Sequence, residues 1–502
     1  MSIHRLNRSR RNQLPAWLSM PTVLETNCAG KFIPWRGLWA FLLCAAATTS
    51  ALAQTKFASL LSFDGTNGAN PHYVYLIQGT DGNLYGTTYV STGSGGTVFK
   101  ITTKGVLTTL YTFCPDGEPC LDGAQPEAGL VLATDGNFYG TTLNGGTNNF
   151  GTVFQVIAAG KLTTLHSFDS TDGAGPEVGL IQATNGELFG TTSVGGSSNV
   201  GTIFDITTAG TFTSLLNFIG TNGDYPDGKL LQGTDGNFYG TTEEVTSGSG
   251  TVFKMTPAGK LTKLHKFTGP DGAGPTSALI QASNGNFYGT TQAGGTNSGG
   301  TVFQITPAGK LTTLYNFCSK SDCTDGANPS AGLIQATDGN LYGTTFSGGS
   351  NETSCNGGCG TIFRITTAGA LTTLYNFCSK SGCVDGSQPQ EGLVQHTNGA
   401  LYGMTYYGGT DGLGTVFSLS VGLGPFVETL PTAGKVGAKV TILGTNLKGA
   451  TSVTFDGTAA TFKVISNSEI ATMVPAGAKT GIVQVTTSGG TLSSNVAFVV
   501  TN

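Results

Sequence analysis

Charged residues are scarce in this sequence: they make up 11% of its 502 residues, and Lys and Arg (24) are fewer than Asp and Glu (29). Six of the basic residues and one acid lie in residues 1–53, so the remainder holds 18 basic and 28 acidic residues, a net charge of about −10. A nucleic-acid-binding surface requires clustered Lys and Arg to replace counterions. The composition therefore excludes a nucleic-acid partner, and it is also unlike that of a coiled coil or a charged disordered tail.

Tryptophan and long hydrophobic runs are missing from most of the chain. All three tryptophans lie before residue 54, and the apolar run 38–47 is too short for a membrane helix. Lys31 and Arg36 precede this run and Ala51-Leu52-Ala53 follows it, an order typical of a secretory signal peptide. We therefore predict that residues 1–53 are a signal peptide with an extended basic region, starting at Met1 or Met20. The mature chain is predicted to have no transmembrane segment and to be exported to the cell surface, the periplasm or the medium.

Glycine is abundant instead, at 78 residues, and three short strings recur seven times each. The first is of the type Asn-Leu/Phe-Tyr-Gly-Thr-Thr, the second is Gly-Thr-Val/Ile-Phe, and the third is of the type Leu-Thr-Thr-Leu-Tyr-x-Phe. The aromatic residue of the first string recurs every 49 to 60 residues. The marker residues of the three strings are Tyr85, Tyr139, Phe189, Tyr239, Tyr288, Tyr342 and Tyr402; Phe99, Phe154, Phe204, Phe253, Phe303, Phe363 and Phe417; and Phe63, Phe113, Phe168, Phe218, Phe267, Phe317 and Phe377.

Each repeat predicts four short strands, with an Asp/Asn-Gly hairpin turn between the first two. Thr, Val, Ile, Tyr and Phe dominate, and no apolar stripe has helical spacing, so we predict an all-β chain. Seven such units over residues 55–421 predict a seven-bladed β-propeller of four-stranded repeats. The array opens with a fourth-type strand (57–63) and ends with a third-type strand (414–421). The first strand is therefore predicted to complete the last blade, whereas the alternative, an open β-solenoid, needs no such match.

Residues 425–502 follow a different pattern. Gly-x-x-Val-Thr-Ile-x-Gly-Thr-Asn-Leu (437–447) and Gly-Ile-Val-Gln-Val-Thr-Thr (481–487) are apolar alternations bounded by glycine turns. They predict a small immunoglobulin-like β-sandwich.

The repeat resembles the GloVer tandem repeat of exported bacterial proteins, and the resemblance covers residues 55–421. The segment from Pro425 resembles the IPT/TIG immunoglobulin-like domain. The first resemblance implies export and says little about activity. The second implies a spacer or adhesion unit without catalytic residues.

Eight cysteines follow the signal peptide, and they fall in near pairs within the longer repeats. An even number of cysteines in an exported chain predicts disulfides that close small loops. Zinc is the alternative, since short cysteine spacings also suit it. The predicted pairs are Cys114 with Cys120, Cys318 with Cys323, Cys355 with Cys359, and Cys378 with Cys383.

Each link between repeats carries Asp/Asn-Gly-x-x-Pro, which turn chemistry explains, because Asp or Asn caps its own backbone and Gly takes a positive φ. A ring of calcium-binding loops is the alternative, weakened by asparagine at two of the seven leading positions. Acids just after the link prolines are expected near the mouth of the central channel. They form a candidate cation site, with calcium as the candidate ion and a solvated acidic rim as the alternative: Glu127, Glu177, Asp227 and Glu391.

No catalytic constellation stands out, because the histidines fall at unrelated repeat positions and no phosphate-cradling loop precedes a helix. We therefore expect a secreted or cell-surface binding or structural protein that is not an enzyme and needs no cofactor beyond calcium. An extracellular glycan or a cell-surface protein is the expected partner. The alternative is an exported propeller hydrolase or lyase acting on polysaccharide. Carboxylates clustered with a basic residue on the variable-loop face would favour that enzyme.

Overall fold

Short antiparallel strands dominate the structure, a computed structural model that describes residues 55–243, 248–351, 355, 357–390 and 392–501. The predicted signal peptide and Glu391 lie outside the described residues. Within those ranges the helical elements are two 3₁₀ turns, Ser321–Cys323 and Ser381–Cys383. None of the described helical segments has the length and apolar character needed to cross a membrane.

The repeats supply strands β1 to β28, and the C-terminal segment supplies β29 to β38. The propeller strands are β1 Lys56–Ser62; β2 Ile77–Gln78, β3 Leu84–Thr88, β4 Thr97–Ile101, β5 Leu107–Thr112; β6 Val131–Leu132, β7 Phe138–Thr142, β8 Thr152–Val156, β9 Leu162–Ser167; β10 Ile181–Gln182, β11 Leu188–Thr192, β12 Thr202–Ile206, β13 Phe212–Asn217; β14 Leu231–Gln232, β15 Phe238–Thr242, β16 Thr251–Met255, β17 Leu261–Lys266; β18 Ile280–Gln281, β19 Phe287–Thr291, β20 Thr301–Ile305, β21 Leu311–Asn316; β22 Ile334–Gln335, β23 Leu341–Thr345, β24 Thr361–Ile365, β25 Leu371–Asn376; β26 Val394–Gln395, β27 Leu401–Thr405 and β28 Thr415–Ser420. The others are β29 Glu428–Leu430, β30 Ala433–Lys435, β31 Lys439–Leu443, β32 Ser452–Phe455, β33 Thr458–Ala459, β34 Phe462–Val464, β35 Glu469–Met473, β36 Val483–Thr487, β37 Gly490–Ser493 and β38 Val499–Thr501.

These strands form the predicted seven-bladed propeller. Blades 1 to 6 are consecutive four-stranded antiparallel sheets, from β2–β5 through β22–β25. Blade 7 has the order β1-β28-β27-β26, so the first strand of the array completes the last blade, from Lys56 opposite Ser420 to Ser62 opposite Thr415. The chain phase therefore predicted the ring closure correctly.

The recurring Tyr-Gly-Thr-Thr and Gly-Thr-Val-Phe strings pack against each other inside each blade. In blade 5, a Cβ on Gly289 would lie 2.7 Å from the ring tip of Phe303, so only glycine leaves room for the aromatic ring. The hydroxyls of Thr291 and Thr301 are 2.9 Å apart and satisfy each other in the buried interior. The motif is thus a packing unit of the blade.

Seven hydrophobic cores lie between neighbouring blades in the described part of the ring. The aromatic of one second strand stacks on that of the next blade, as Tyr85 does on Phe138 with ring centroids 4.1 Å apart. The core between blades 7 and 1 joins Tyr402 and Val416 to Phe99. Hydrophobic packing between blades 7 and 1 therefore closes the ring together with the β1–β28 pairing.

A glutamine at the end of the first strand holds neighbouring blades together on the face of the Asp/Asn-Gly turns. Its side-chain oxygen accepts a hydrogen bond from the backbone N–H of a turn residue in the preceding blade. The acceptor and donor residues are Gln78 and Thr397, Gln182 and Thr134, Gln232 and Thr184, Gln281 and Thr234, Gln335 and Ser283, and Gln395 and Thr337.

The C-terminal module docks at the joint between blades where another residue replaces this glutamine. Leu132 occupies the glutamine position at the joint of blades 1 and 2, and it packs in one core with Leu430 and Leu443 of the module. Nearby, the Ser468 hydroxyl donates to the Thr80 carbonyl at 2.7 Å. The module therefore rests on the turn face of the propeller, opposite the variable loops.

The module itself packs two sheets, β29-β31-β35-β34 and β33-β32-β36-β37, with the pair β30-β38 beside them. Alternate residues of the strands point inward, for example Val440 and Ile442 of β31 and Val483 and Val485 of β36. The predicted immunoglobulin-like β-sandwich is confirmed.

We expect Leu443→Ala to loosen this docking, because it removes a side chain that is 4% exposed and shared between the two modules. The free energy of unfolding should fall by about 2–5 kcal/mol. Denaturant unfolding and proteolysis of the link at 422–427 would measure the effect. Leu447→Ala is the matched control, since Leu447 lies in the sandwich core alone. Equal protease sensitivity of the link in both variants would contradict this docking.

Four disulfides close the small loops of blades 1, 5 and 6. They join Cys114 to Cys120, Cys318 to Cys323, Cys355 to Cys359, and Cys378 to Cys383. These are the pairs expected from the spacing. The sulfur atoms of the last two pairs all lie within 4.8 Å of one another. Four thiolates this close together suit a zinc ion, so the zinc alternative concerns these two pairs.

Protein starting at Gln54, unfolded without reductant, is expected to show no reactive thiol, since its eight cysteines are all paired. Thiol titration and mass spectrometry of non-reduced peptides measure this. Four thiols assigned to the second half of the array, together with stoichiometric zinc, would support the zinc alternative instead.

Candidate functional site

Seven side chains surround the channel mouth, each from the residue directly after a link proline. We call this set the mouth ring: His72, Glu127, Glu177, Asp227, Thr276, Ser330 and Gln390. Blades 2 to 4 contribute carboxylates, while blades 5 to 7 contribute hydroxyls and an amide. One wall of the mouth is therefore acidic and the opposite wall is neutral and polar.

The link Asp and Asn residues serve as turn formers. Asp325, for example, accepts hydrogen bonds from the Tyr315 hydroxyl at 2.6 Å and the Ser319 N–H at 3.0 Å. The glycine that follows has a positive φ, as in Gly326 at 101°. These hydrogen bonds occupy the carboxylate inside its own loop, in agreement with turn chemistry.

A cavity of about 150 Å³ opens beneath the acidic wall. The mouth ring lines it through Glu177, Asp227, Thr276 and Ser330, and Glu243 reaches it from the loop after β15. The level below is reached by the residue just before the buried leucine that directly precedes each first strand. We call this set the lower ring: Tyr75, Gly129, Gly179, Lys229, Ala278, Gly332 and Gly392.

Asp227 and Glu243 form a hydrogen-bonded carboxyl pair at the wall of this cavity. The pKa of Asp227 lies well above its usual range, because burial disfavours the carboxylate and the charges of Glu177 and Glu243 repel it. Burial and the charge of Glu127 also raise the pKa of Glu177, while the Ser193 hydroxyl, donating at 2.9 Å, opposes that rise. The wall therefore holds carboxyl groups of different acidity side by side.

Lys229 brings a basic group into the same cavity. Burial lowers its pKa to about 8, because the channel walls disfavour the charged ammonium. The Lys229 amine thus changes charge at mildly alkaline pH, well below the pH at which an ordinary lysine does so.

An aromatic group lines the mouth on the side of blades 7 and 1. Nδ1 of His72 pairs with Oε1 of Glu127, and the His72 ring lies 5.6 Å from that of Tyr89 and 5.2 Å from that of Tyr406. Flat rings beside a carboxylate form a surface that suits the face of a sugar ring.

Tyr73 enters the cavity because blade 1 has one residue more than the others between the link proline and the buried leucine. The spacing from Pro71 to Leu76 is five residues, against four from Pro126 to Leu130. Tyr73 adopts a φ of 50°, an uncommon conformation for a bulky residue. Burial and the neighbouring carboxylates raise its pKa to about 12, so the phenol stays protonated as a hydrogen-bond donor.

Two hydroxyls on the neutral wall lack partners among the described residues. Ser330 is 4% exposed, and its Oγ, like Oγ1 of Thr276, is buried without a hydrogen bond. An unsatisfied buried hydroxyl costs free energy unless a water or a ligand pairs with it. Both atoms therefore mark positions for polar ligand groups across from the carboxylates.

The structure brings Glu127, Glu177 and Asp227 of the predicted cation site into one ring. Glu391 lies outside the described residues, and Gln390 takes the seventh ring position. Sequence reasoning missed Glu243, Lys229, Tyr73 and Tyr75. Comparing the repeats position by position would have found Tyr75 and Lys229, because the lower ring otherwise holds only Gly and Ala.

Calcium binding at the mouth stays a prediction. Within the described ranges, the only group of three or more candidate ligand atoms that lie within 4.8 Å of one another consists of four cysteine sulfurs. The mouth carboxylates therefore do not form a closed ligand set. If the mouth binds calcium in the folded state alone, millimolar calcium raises the melting temperature and a chelator reverses the rise. Identical melting curves of the protein from Gln54 would contradict the cation site.

Comparison with known proteins assigns the repeat. The family model described as the Gloeobacter/Verrucomicrobia repeat matches residues 47–186, 175–355 and 320–450, and the IPT/TIG domain model matches residues 426–500. Both resemblances inferred from the sequence are confirmed. No curated protein sequence matches the chain.

Several solved structures are similar to this chain at low sequence identity. The periplasmic gluconolactonase of Pseudomonas aeruginosa is 16% identical, with 68% of this chain and 96% of that chain covered at a TM-score of 0.42. A gluconolactonase of Xanthomonas campestris is 13% identical, with 61% and 90% covered at 0.38. A protein of unknown function from Bacteroides thetaiotaomicron is 13% identical, with 69% and 89% covered at 0.37.

The expectation of a binding or structural protein that is not an enzyme is corrected by the residues that line the cavity. They meet the condition set for an enzyme, since Glu177, Asp227 and Glu243 cluster with Lys229 on the variable-loop side of the channel.

Proposed function

The chain belongs to the Gloeobacter/Verrucomicrobia repeat family, and from the pocket that its propeller carries we propose that it is an exported hydrolase of extracellular polysaccharide. The pocket cleaves a glycosidic bond by acid–base catalysis, with Asp227 as the acid and Glu177 as the base.

The Asp227–Glu243 pair is the observation that carries this proposal. Burial, the charges of Glu177 and Glu243 and the hydrogen bond with Glu243 all disfavour the Asp227 carboxylate, so the pKa of Asp227 is raised. A carboxyl group with a raised pKa is the group that glycoside hydrolysis uses to protonate a leaving oxygen.

The reaction uses two carboxyl groups in different states. Asp227 donates its proton to the glycosidic oxygen as the bond from that oxygen to the anomeric carbon breaks. Glu177 accepts a proton from the water that attacks the anomeric carbon. Both carboxyl groups end with the opposite protonation, and solvent restores them.

The charge of the wall selects the substrate class. Four carboxyl groups at or beside the mouth, Glu127, Glu177, Asp227 and Glu243, repel uronates and other acidic sugars. A lyase acting on uronates is thus disfavoured, and a neutral or amine-bearing glycan fits. The Tyr73 hydroxyl and the unpaired hydroxyls of Ser330 and Thr276 are placed to bind its hydroxyl groups.

Export is supported by two independent features. Four disulfides are stable in oxidising compartments and rare in the cytosol. The sequence before Gln54 has the pattern of a secretory signal peptide.

The test is a screen of the protein from Gln54 against neutral and amine-bearing polysaccharides and acidic ones, followed by reducing-end release. We expect release from one or more of the first group and none from uronate polymers. Asp227→Asn, measured in parallel, separates this pocket from a contaminating activity. Equal release by both proteins, or release from no glycan, would refute the proposal.

A further inference from the structure

The lower ring carries one large aromatic residue among small ones. Five of its seven members are Gly or Ala, and the two long side chains are those of Tyr75 and Lys229. At this level five blades contribute no long side chain to the channel. Blade 4 contributes the Lys229 amine, and blade 1 contributes the Tyr75 phenol ring.

The Tyr75 side chain reaches from blade 1 past blade 7 to blade 6. Its hydroxyl accepts a hydrogen bond from the backbone N–H of Gly332 at 3.3 Å. The two residues are 257 positions apart in the sequence, and blade 7 lies between their blades in the ring. The phenol ring thus lies in the bore in front of blade 7, and it lines the cavity beneath the carboxylates together with Gly179, Lys229 and Ala278 of blades 3 to 5.

The glycines facing Tyr75 are complementary to it. A Cβ on Gly392 would lie 2.3 Å from a ring carbon of Tyr75, and a Cβ on Gly332 would lie 3.2 Å from its hydroxyl. On the near side, a Cβ on Gly129 would meet the Tyr75 backbone nitrogen at 2.7 Å. Blades 6 and 7 accordingly leave space for this one side chain, and blade 2 leaves space for its backbone.

We propose that Tyr75 closes the channel beneath the carboxylates, so that the site is a dead-end pocket that admits the end of a glycan chain and excludes its interior. The proposal rests on the function proposed above for its substrate. Tyr75 is here a specificity-determining residue, because it sets the depth of the pocket and takes no part in proton transfer.

Closure has a readout that does not depend on activity. Tyr75 and Lys229 belong to the same ring and line the same cavity, and burial holds the Lys229 pKa at about 8 against 10.5 for an ordinary lysine. Acetic anhydride labelling of the full mature protein across pH, with peptide mass spectrometry, reports the titration of Lys229. Tyr75→Gly places the commonest residue of the lower ring at this position.

We expect the labelling midpoint of Lys229 to move upward from about 8 by one pH unit or more in Tyr75→Gly, since water enters from below. Tyr407→Gly, which removes an exposed tyrosine from a blade 7 loop, should leave the midpoint unchanged. A second, milder variant, Tyr75→Leu, keeps the bore filled and should retain the low midpoint. An unchanged midpoint in Tyr75→Gly would overturn closure, whatever the activity.

Products from a soluble neutral polysaccharide test the consequence. The wild type should release short products of uniform size with little loss of viscosity, and Tyr75→Gly should shift the smallest product to a longer one. Rapid loss of viscosity with the wild type would overturn selection of chain ends while leaving the hydrolase in place. A shifted labelling midpoint without hydrolysis of any glycan would support closure and refute the proposed function.

Discussion

Asp227→Asn lowers the rate of glycoside hydrolysis by about 10²–10⁴-fold, the usual contribution of a positioned general acid. The amide preserves the shape of the carboxyl group and can still hydrogen-bond to Glu243, but it has no proton to give to the leaving oxygen. Initial rates of reducing-end release, measured on the substrate found in the screen, give the effect. The loss should appear in kcat, since the interaction operates in the transition state.

Asp205→Asn is the matched control for this substitution. Asp205 is also an aspartate whose pKa is raised by burial, but it lies on β12 away from the cavity. Its replacement should leave the rate within twofold. A comparable loss in both variants would mean that Asp227 acts through stability and not through proton transfer.

The same substitution should make the protein more stable above neutral pH. Asp227 has a raised pKa in the folded state, so its favourable contribution is complete below the unfolded pKa near 4 and is lost as pH rises through the folded value. The amide does not titrate, so the melting temperature of Asp227→Asn should exceed that of the wild type at pH 8, and the gap should narrow at acid pH. A less stable variant at pH 8 would show that the wild-type carboxylate is ionised and paired with a cation.

Phe63→Ala is expected to cost about 3–5 kcal/mol of unfolding free energy, the range for truncating a buried phenylalanine. Phe63 is fully buried, its backbone N–H donates to the Gly414 carbonyl at 3.0 Å, and its ring meets Phe99 edge-to-face at 5.7 Å. It follows the strand that closes the ring, so its loss also weakens the pairing of β1 with β28.

Phe218→Ala tests whether weakened ring closure adds to the consequences of Phe63→Ala. Phe218 occupies the same repeat position in blade 3, is equally buried and meets Phe253 at 5.7 Å. Both variants should lose similar stability in denaturant, but only Phe63→Ala should expose the edge of β28 and increase light scattering on warming. Equal scattering by the two variants would contradict a special role for the first strand.

The fold could be predicted from sequence because each repeat carries its own hairpin turns and packing pairs. Asp/Asn-Gly turns, β-branched strands and a fixed period together specify four strands per unit, and the type of the first strand predicts the closure. The docking of the C-terminal module could not be predicted in this way. It depends on Leu132 in place of glutamine, and one leucine in a strand is uninformative until Leu443 is seen against it.

The site was predicted only in part, for two physical reasons. The link prolines place Glu127, Glu177 and Asp227 at one level of the channel, so their meeting followed from the repeat. Glu243 enters from a loop of variable length, whose course the repeat does not define. Tyr73 depends on a one-residue insertion, and an insertion of that size shifts which side chain faces the channel.

At the start of each blade, the residue that packs in an interblade core differs from the residues that face the channel. In each blade the leucine that directly precedes the first strand lies in an interblade core, as Leu180 and Leu279 do, while the two channel-facing positions before it touch no core. Gly179 and Ala278 are such positions, and they remain small beside the carboxylates. New side chains at these positions leave the interblade cores unchanged wherever the channel has room for them, so the channel is a starting point for evolving or engineering other activities.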